Sequence, residues 1–517
     1  MSRTTTRTTR AGRRALAGAL ASGGLALALA GCNLLPTPGA APAEPGTAVG
    51  FEQVQQAVIQ LEARGTFVDP QYGGYEGAGR GSGFIISEDG LAVTNNHVVV
   101  GAGTIDVWRG GDQSDTLDAR VLGASECLDL AVVQLEKDEY PYLGWRTDDI
   151  ATGIDVYAAG FPLGDPTFTM TRGIVSKADI EGDTAWASID SIIEHDARIR
   201  NGNSGGPLVD TDGRVVGVNY AGEDTYDYNF AIHRDEVQNV IEQLAAGENV
   251  LSLGINGQGV VGDDGGLGIW VASVAAGSAA DKAGIEPGDL ITRLGGVSVG
   301  TDGTMREYCD VLRTHGTEAT LDIELFRPAD SGYYRGQVNS ERVVTAVANV
   351  GGGSGGAPSG DFVDIADDSG HVQVSVPVEW DDVDGAGFTD DSGNAWYGVT
   401  ASTSIRDLNS GWKVPGVAVM ATPGASDPAY VDTLLNSTRS GVQGDGCRSD
   451  GVQSYADGYH TGKYEYFTGC GSTKADYVAI AAIADDASYL IYVTIQAVSD
   501  DDAAALERVV SSFIAGF

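Results

Sequence analysis

From residue 51 onward the chain is built of short apolar runs. Gly83-Phe84-Ile85-Ile86, Leu91-Ala92-Val93 and Leu130-Ala131-Val132-Val133 are each cut off by Gly or Asp turns. Many short strands with frequent turn signals predict a barrel or sandwich over residues 51–250. Val237, Val240, Ile241 and Leu244 recur at helical spacing and predict a closing helix over 235–244. Residues 255–348 read as a second unit, with strands at 269–274 and 321–326. Its helix, over 305–312, puts Met305, Tyr308, Cys309 and Leu312 on one face. A third unit spans 361–517. Val372, Val374, Val376 and Val378 alternate as one face of a strand, and 477–484 and 489–497 read as strands joined by an Asp-rich turn. A final helix starts at a capping box of Ser499 and Asp502 and buries Leu506, Val509, Val510 and Phe513. The fold class expected is mainly β and multidomain, ending in an α+β unit.

Two segments stand outside this pattern. Residues 1–31 begin with Arg3, Arg7, Arg10, Arg13 and Arg14 and no acidic residue, then run apolar to Leu29-Ala30-Gly31. A basic head, a short apolar stretch and small residues describe an export signal, too short for a comfortable membrane span. The Arg13-Arg14 pair leaves general and twin-arginine export both open. Residues 32–50 are rich in Pro, Ala and Gly and read as a tether, and residues 349–360 as a second, Gly-rich linker.

At 517 residues the chain is too long for one hydrophobic core. Its formal net charge of −41 repels phosphate, which argues against a nucleic-acid partner. No Cys or His groups have zinc-ligand spacing, and no phosphate-binding loop is present, so neither a metal nor another cofactor is expected. Four of the five Cys follow Cys32. Export favours disulfides. Cys447 and Cys470, close together in one unit, are the expected pair. Cys127 and Cys309 fall in different units and are expected to be single buried thiols.

The candidate chemistry lies in three strings of the first unit. In Gly202-Asn203-Ser204-Gly205-Gly206-Pro207-Leu208, Ser204 is a nucleophile that needs a base and nearby backbone donors. Thr94-Asn95-Asn96-His97-Val98-Val99 supplies the base in His97. Leu128-Asp129-Leu130-Ala131-Val132 supplies in Asp129 the carboxylate that fixes the imidazole. The chain order His, Asp, Ser is that of chymotrypsin-like double-barrel proteases.

These strings, with Gly81-Ser82-Gly83-Phe84-Ile85-Ile86 upstream and Gly160-Phe161-Pro162-Leu163-Gly164 between, resemble the HtrA/DegP-type serine proteases over about 200 residues. The resemblance implies a chymotrypsin-like double β-barrel over 51–250. It makes His97 the general base, Asp129 its orienting carboxylate and Ser204 the nucleophile, with the backbone N–H groups of Gly202 and Ser204 as oxyanion hole. It implies a substrate pocket at Ile199 and at Phe230, Ala231 and Ile232, with no acidic floor, suited to aliphatic residues. Asn201 stands where the family often has Pro, in a loop that switches between active and inactive forms. His195, in a string that departs from the family's, is a rival base expected in a groove or on the surface; it lies outside the His motif.

Residues 255–348 resemble a PDZ domain. Gly266-Leu267-Gly268-Ile269 is similar to its carboxylate-binding loop, and Ala283-Gly284-Ile285-Glu286-Pro287-Gly288-Asp289 to its structural turn. The implied groove lies between residues 266–271 and the helix carrying Met305 and Leu312, and would take C-terminal or unfolded peptide segments by strand addition. Leu29-Ala30-Gly31-Cys32 resembles the lipobox of prokaryotic lipoproteins. That implies lipidation at Cys32 and an exported protein anchored to the outer face of the cell membrane. The protease family also implies a homotrimer, and residues 361–517 faintly resemble PsbP-like or LpqN-type domains. The function expected is ATP-independent endoproteolysis of misfolded or exposed segments of exported proteins. The alternative is a chaperone or a peptide-binding scaffold with little proteolysis.

Overall fold

Short strands whose alternate residues are apolar close most readily when a sheet curls onto itself, and the first 200 residues of the folded chain do this twice. The computed structural model describes residues 43–44, 46–69, 73–137, 139–223, 228–261, 267–330, 332–341, 343–347, 362–390, 393–424 and 427–517. The export signal, Cys32, Gly266 and the Gly-rich linker lie outside these residues.

The first closed barrel runs Val58–Asp69, Gly73–Ile85, Leu91–Thr94, Leu130–Leu135, Leu117–Ser125 and Thr104–Arg109. The second runs Thr169–Asp183, Ser188–His195, Tyr228–His233, Val215–Glu223, Pro207–Val209 and Asp155–Gly160. The helix Arg234–Ala245 follows the second barrel, and its buried Val237 and Leu244 join the core that includes Phe84, Val93 and Ile232. One glycine of the first barrel is fixed by space: a Cβ at Gly83 would sit 2.8 Å from the carbonyl oxygen of Val93.

A sheet then runs in the order Ile255–Val261, Leu267–Val274, Leu290–Leu294, Leu321–Arg327, Gly332–Val338 and Thr345–Ala346. The helix Arg306–His315 packs on it through Tyr308, Cys309, Val311 and Leu312. Residues 362–517 form a three-stranded and an eight-stranded antiparallel sheet. The period of two sorts the larger sheet into two faces. Val478, Ile480 and Ala482 meet the terminal helix Asp500–Ser512, while Ala479 and Ala481 meet the helix Pro428–Gln443.

Ser499 and Asp502 form the reciprocal capping box at the start of the terminal helix. Asp serves because its carboxylate still reaches the Ser499 N–H at 2.9 Å. Val372, Val374 and Val376 are buried as the alternation predicts, but the strand ends at Pro377 and Val378 is 47% exposed. Phe513 is fully buried just past the helix, and a short strand, Ile514–Ala515, pairs with Val372–Pro377 beyond it.

Cys447 and Cys470 are bonded. So are Cys127 and Cys309, which corrects the expectation of two single thiols. The sequence places them 182 residues apart in different units, but the helix Arg306–His315 docks against the turn at Cys127 and brings their Cα atoms to 5.5 Å.

Candidate active site

The three candidate residues come from different elements and both barrels. His97 sits in the single helical turn Asn96–Val99 after the strand Leu91–Thr94. Asp129 lies in the turn between Leu117–Ser125 and Leu130–Leu135, at φ +48°, in the left-handed region that Asp tolerates better than most side chains. Ser204 belongs to the loop that enters the strand Pro207–Val209 of the second barrel.

Asp129 is 1% exposed, and its carboxylate is fully used by His97. Oδ2 lies 2.7 Å from His97 Nδ1, and Oδ1 accepts the His97 backbone N–H at 2.9 Å. The Asp129 carbonyl accepts from Asn95 Nδ2 at 2.7 Å. His97 thus has its ring plane and tautomer set from a neighbouring loop. The Trp186 ring lies across from it, with centroids 5.1 Å apart.

The nucleophile loop is held from behind. Gly202 and Gly205 have φ of +97° and +82°, and a Cβ at Gly205 would fall 2.3 Å from the Ser82 carbonyl oxygen. Ser82 itself is the anchor. Its N–H donates to Ser204 O at 2.8 Å, its hydroxyl donates to Gly202 O at 2.7 Å, and its Oγ accepts the Phe161 N–H at 2.9 Å. The Asn201 carbonyl accepts the Leu163 N–H at 2.6 Å. Across a planar trans peptide the next N–H points the opposite way, so the Gly202 N–H faces away from Leu163. Among the described residues neither it nor the Ser204 N–H donates to a protein acceptor. Two unspent backbone donors beside a serine suit a developing oxyanion.

His97, Ser204, Gly202 and Asn201 line one cavity of about 470 Å³, together with Leu163, Trp186, Ile199 and Tyr220. Arg80 and Arg200 also border it, and among the described residues no carboxylate does. Of the expected pocket residues, only Ile199 lines it. Ala231 and Ile232 are fully buried in barrel cores, and Phe230 packs against one of them, because the strand Tyr228–His233 is hydrogen-bonded on both sides. Leu163 and Trp186 were not foreseen; they come from a turn and a hairpin end whose positions depend on tertiary packing.

His195 is 1% exposed and faces neither surface nor groove. Burial pushes its pKa down to about 4, so the ring is neutral and enclosed.

The peptide groove also moves. The strand Leu267–Val274 is paired on both edges, by Ile255–Val261 and Leu290–Leu294, so it cannot accept an added strand. Leu267, Gly268 and Ile269 are therefore interior strand residues. Met305 and Leu312 are fully buried in the core. The sheet's edge strand is Ile255–Val261, and the loop leading into it carries a second Leu-Gly-Ile string, Leu253-Gly254-Ile255. Among the described residues no group of His, Cys, Asp and Glu is arranged to hold a metal.

Two closed six-stranded barrels with a Ser, His and Asp from their facing loops define a trypsin-like peptidase fold. Residues 81–218 match the trypsin-like peptidase domain family, and residues 270–325 match the PDZ domain family. The Serine protease Do-like HtrA of Bacillus subtilis is 35% identical over 44% of this chain and 57% of its own length. A probable periplasmic serine endoprotease, DegP-like, of Hahella chejuensis is 38% identical over 48% of this chain and 56% of its own. The solved serine endoprotease of Yersinia pestis is 26% identical over 57% of this chain and 95% of its own, with a TM-score of 0.34. The chain thus carries a trypsin-like peptidase domain followed by a PDZ domain, and over these domains it is similar to the HtrA/DegP-type serine proteases. It spans a little over half the length of the curated relatives it matches.

Proposed function

We propose that the chain is an ATP-independent serine endopeptidase that cleaves misfolded or exposed segments of exported proteins. The observation that carries this reading is the His97–Asp129 pair opening onto the same cavity as Ser204, beside two unspent N–H donors. Ser204 Oγ attacks the scissile carbonyl while His97 Nε2 takes its proton. The N–H groups of Gly202 and Ser204 hold the oxyanion, and His97 returns the proton to the leaving amine. Water then releases the acyl group by the same route. Leu163, Ile199 and Tyr220 make the binding cavity partly apolar, and its two arginines disfavour Lys or Arg beside the scissile bond.

The proposed organisation is an export signal over 1–31, a tether over 32–50, protease over 51–250, PDZ over 255–348, linker over 349–360 and an α+β domain over 361–517. Anchoring at Cys32 rests on the Leu-Ala-Gly-Cys string, and a trimer on resemblance. Among the described residues no helix is long and apolar enough to cross a membrane. The PDZ domain serves peptide recognition.

The deciding experiment is labelling with a fluorophosphonate followed by mapping of the adduct. Modification confined to Ser204, lost in Ser204→Ala, is expected. Absence of any adduct on folded protein that also fails to digest casein overturns the proteolytic reading. For the anchor, Cys32→Ser should move the protein from the membrane fraction to the medium.

A further inference from the structure

The edge strand that a peptide would join is already engaged by the protease body. Gly259 N–H donates to Ala185 O at 2.7 Å, and Met305 N–H, at the start of the groove helix, donates to Thr184 O at 3.0 Å. Arg306 on that helix pairs with Asp183 at 2.6 Å. The hairpin end 183–187 therefore lies between the strand Ile255–Val261 and the helix Arg306–His315, where an added strand would run.

At the head of the same groove sits a carboxylate. Glu126 Oε1 accepts from Gly254 N–H and Ile255 N–H, both at 2.6 Å, and from the Ser252 hydroxyl at 2.8 Å. Its Oε2 accepts from the Tyr308 hydroxyl on the helix at 2.6 Å. Glu126 is 1% exposed and Tyr308 fully buried. Successive backbone N–H groups at the start of a sheet edge, backed by a helix, are how a strand-adding module captures a terminal carboxylate. Here those donors are spent on a side chain of the protease body, three residues before Asp129. The next residue, Cys127, is bonded to Cys309, the neighbour of Tyr308 on the groove helix.

We infer that Glu126 and the hairpin end 183–187 are an intramolecular ligand of the PDZ groove, locked in place by the Cys127–Cys309 disulfide. The inference rests on the reading of residues 255–348 as a peptide-binding module. A free C-terminus must displace a carboxylate with four donors whose effective concentration is set by a covalent link one residue away. While the disulfide stands the groove is closed. A dithiol reductant opens it: two electrons and two protons convert the S–S bond into the Cys127 and Cys309 thiols, and the reductant becomes a disulfide. The same contacts reach the active site. Asn256 Nδ2 donates to the His97 carbonyl at 3.0 Å, and the engaged hairpin carries Trp186 to the His97 ring. The module braces the catalytic loops instead of sampling free termini.

The test uses the full chain as Ser204→Ala, to prevent self-digestion. Two immobilised degenerate decapeptide libraries serve as probes, one with free C-terminal carboxylates and one amidated. The oxidised protein is expected to be retained equally by both. Cys127→Ser/Cys309→Ser protein should be retained at least tenfold better by the carboxylate library. Amide hydrogen exchange at Gly254, Ile255 and Gly259 gives a readout independent of peptide affinity. It should be slow when oxidised and at least tenfold faster in the double variant or after dithiothreitol. Glu126→Gln, which keeps the disulfide and the shape, covers the case where the double variant misfolds; it should speed exchange at Gly254 and Ile255. Oxidised protein that already prefers the carboxylate library, or exchange unchanged by all three perturbations, overturns the inference. Faster exchange without any carboxylate preference keeps the intramolecular contact and overturns the peptide-binding reading instead.

Discussion

Asp129 holds His97 twice, through the ring at 2.7 Å and through the backbone N–H at 2.9 Å. An ionised carboxylate only accepts hydrogen bonds, so Nδ1 carries the proton and Nε2 keeps its lone pair toward the cavity. Asp129→Asn leaves the shape but offers an amide that can donate to Nδ1 and favour the wrong tautomer. The expected result is a fall in kcat of about 10^4 with little change in KM. Steady-state kinetics on a fluorogenic peptide, with thermal melting to show an intact fold, make the check. A fall of less than tenfold would remove Asp129 from the proposed triad.

Ser82 is fully buried and makes three of the bonds that shape the nucleophile loop. Ser82→Ala keeps the backbone bond to Ser204 O but orphans the Phe161 N–H and the Gly202 carbonyl. Each buried group left unpaired costs about 1–3 kcal/mol. Because Gly202 also supplies an oxyanion donor, kcat should drop by about tenfold or more while KM holds. Urea denaturation paired with kinetics tests this. Lost stability with unchanged kcat would make Ser82 structural only.

The sequence exposed the strings of the active site because their chemistry and turn geometry are local. The Gly202–Gly206 loop needs two left-handed residues, and the sequence supplies glycine at both. What stayed hidden depends on which strand ends up at a sheet edge. Leu253-Gly254-Ile255 and Leu267-Gly268-Ile269 look alike in sequence, and only the pairing on both sides of the second makes the first the edge. Glu126 was missed because its partners lie 126 to 182 residues away. One signal was available. Four cysteines beyond Cys32 in a chain expected to be exported, two of them paired within one unit, leave Cys127 and Cys309 for each other.

His195 gives a pH signature of stability. Its folded pKa is depressed to about 4 from 6.5 by burial, so the unfolded chain binds this proton first as the pH falls. The contribution is complete above about pH 6.5 and is lost progressively as the pH drops toward 4. The full loss is about 3 kcal/mol on the linkage relation. His195→Leu should flatten this part of the stability profile, measured by urea denaturation at pH 7, 6, 5 and 4.5. An equal slope in both proteins would place the titration elsewhere.

Arg335 joins the PDZ sheet to the C-terminal body and is 2% exposed. Its guanidinium reaches Glu324 at 2.9 Å, Asp457 at 3.4 Å and the Phe513 carbonyl. Burial raises the Asp457 carboxyl, but His460 and Arg335 outweigh it and hold that group below the usual carboxylate range. Arg335→Met removes the cation that two buried carboxylates share, leaving Glu324 with Arg293 at 3.8 Å and Asp457 with His460 at 2.9 Å. The expected cost is about 3–5 kcal/mol. The pH dependence has a definite sign. A depressed carboxylate stabilises above its ordinary pKa of about 4 and loses that contribution as the pH falls below it, so wild-type protein should weaken under acid. In Arg335→Met the difference from wild type should shrink on acidification, as Asp457, left with one cation fewer, takes up its proton at higher pH. Denaturation profiles of both proteins in the Ser204→Ala background, from pH 7 to pH 3, should therefore converge. Parallel profiles would show that Arg335 acts through packing of its stem, not through its charge.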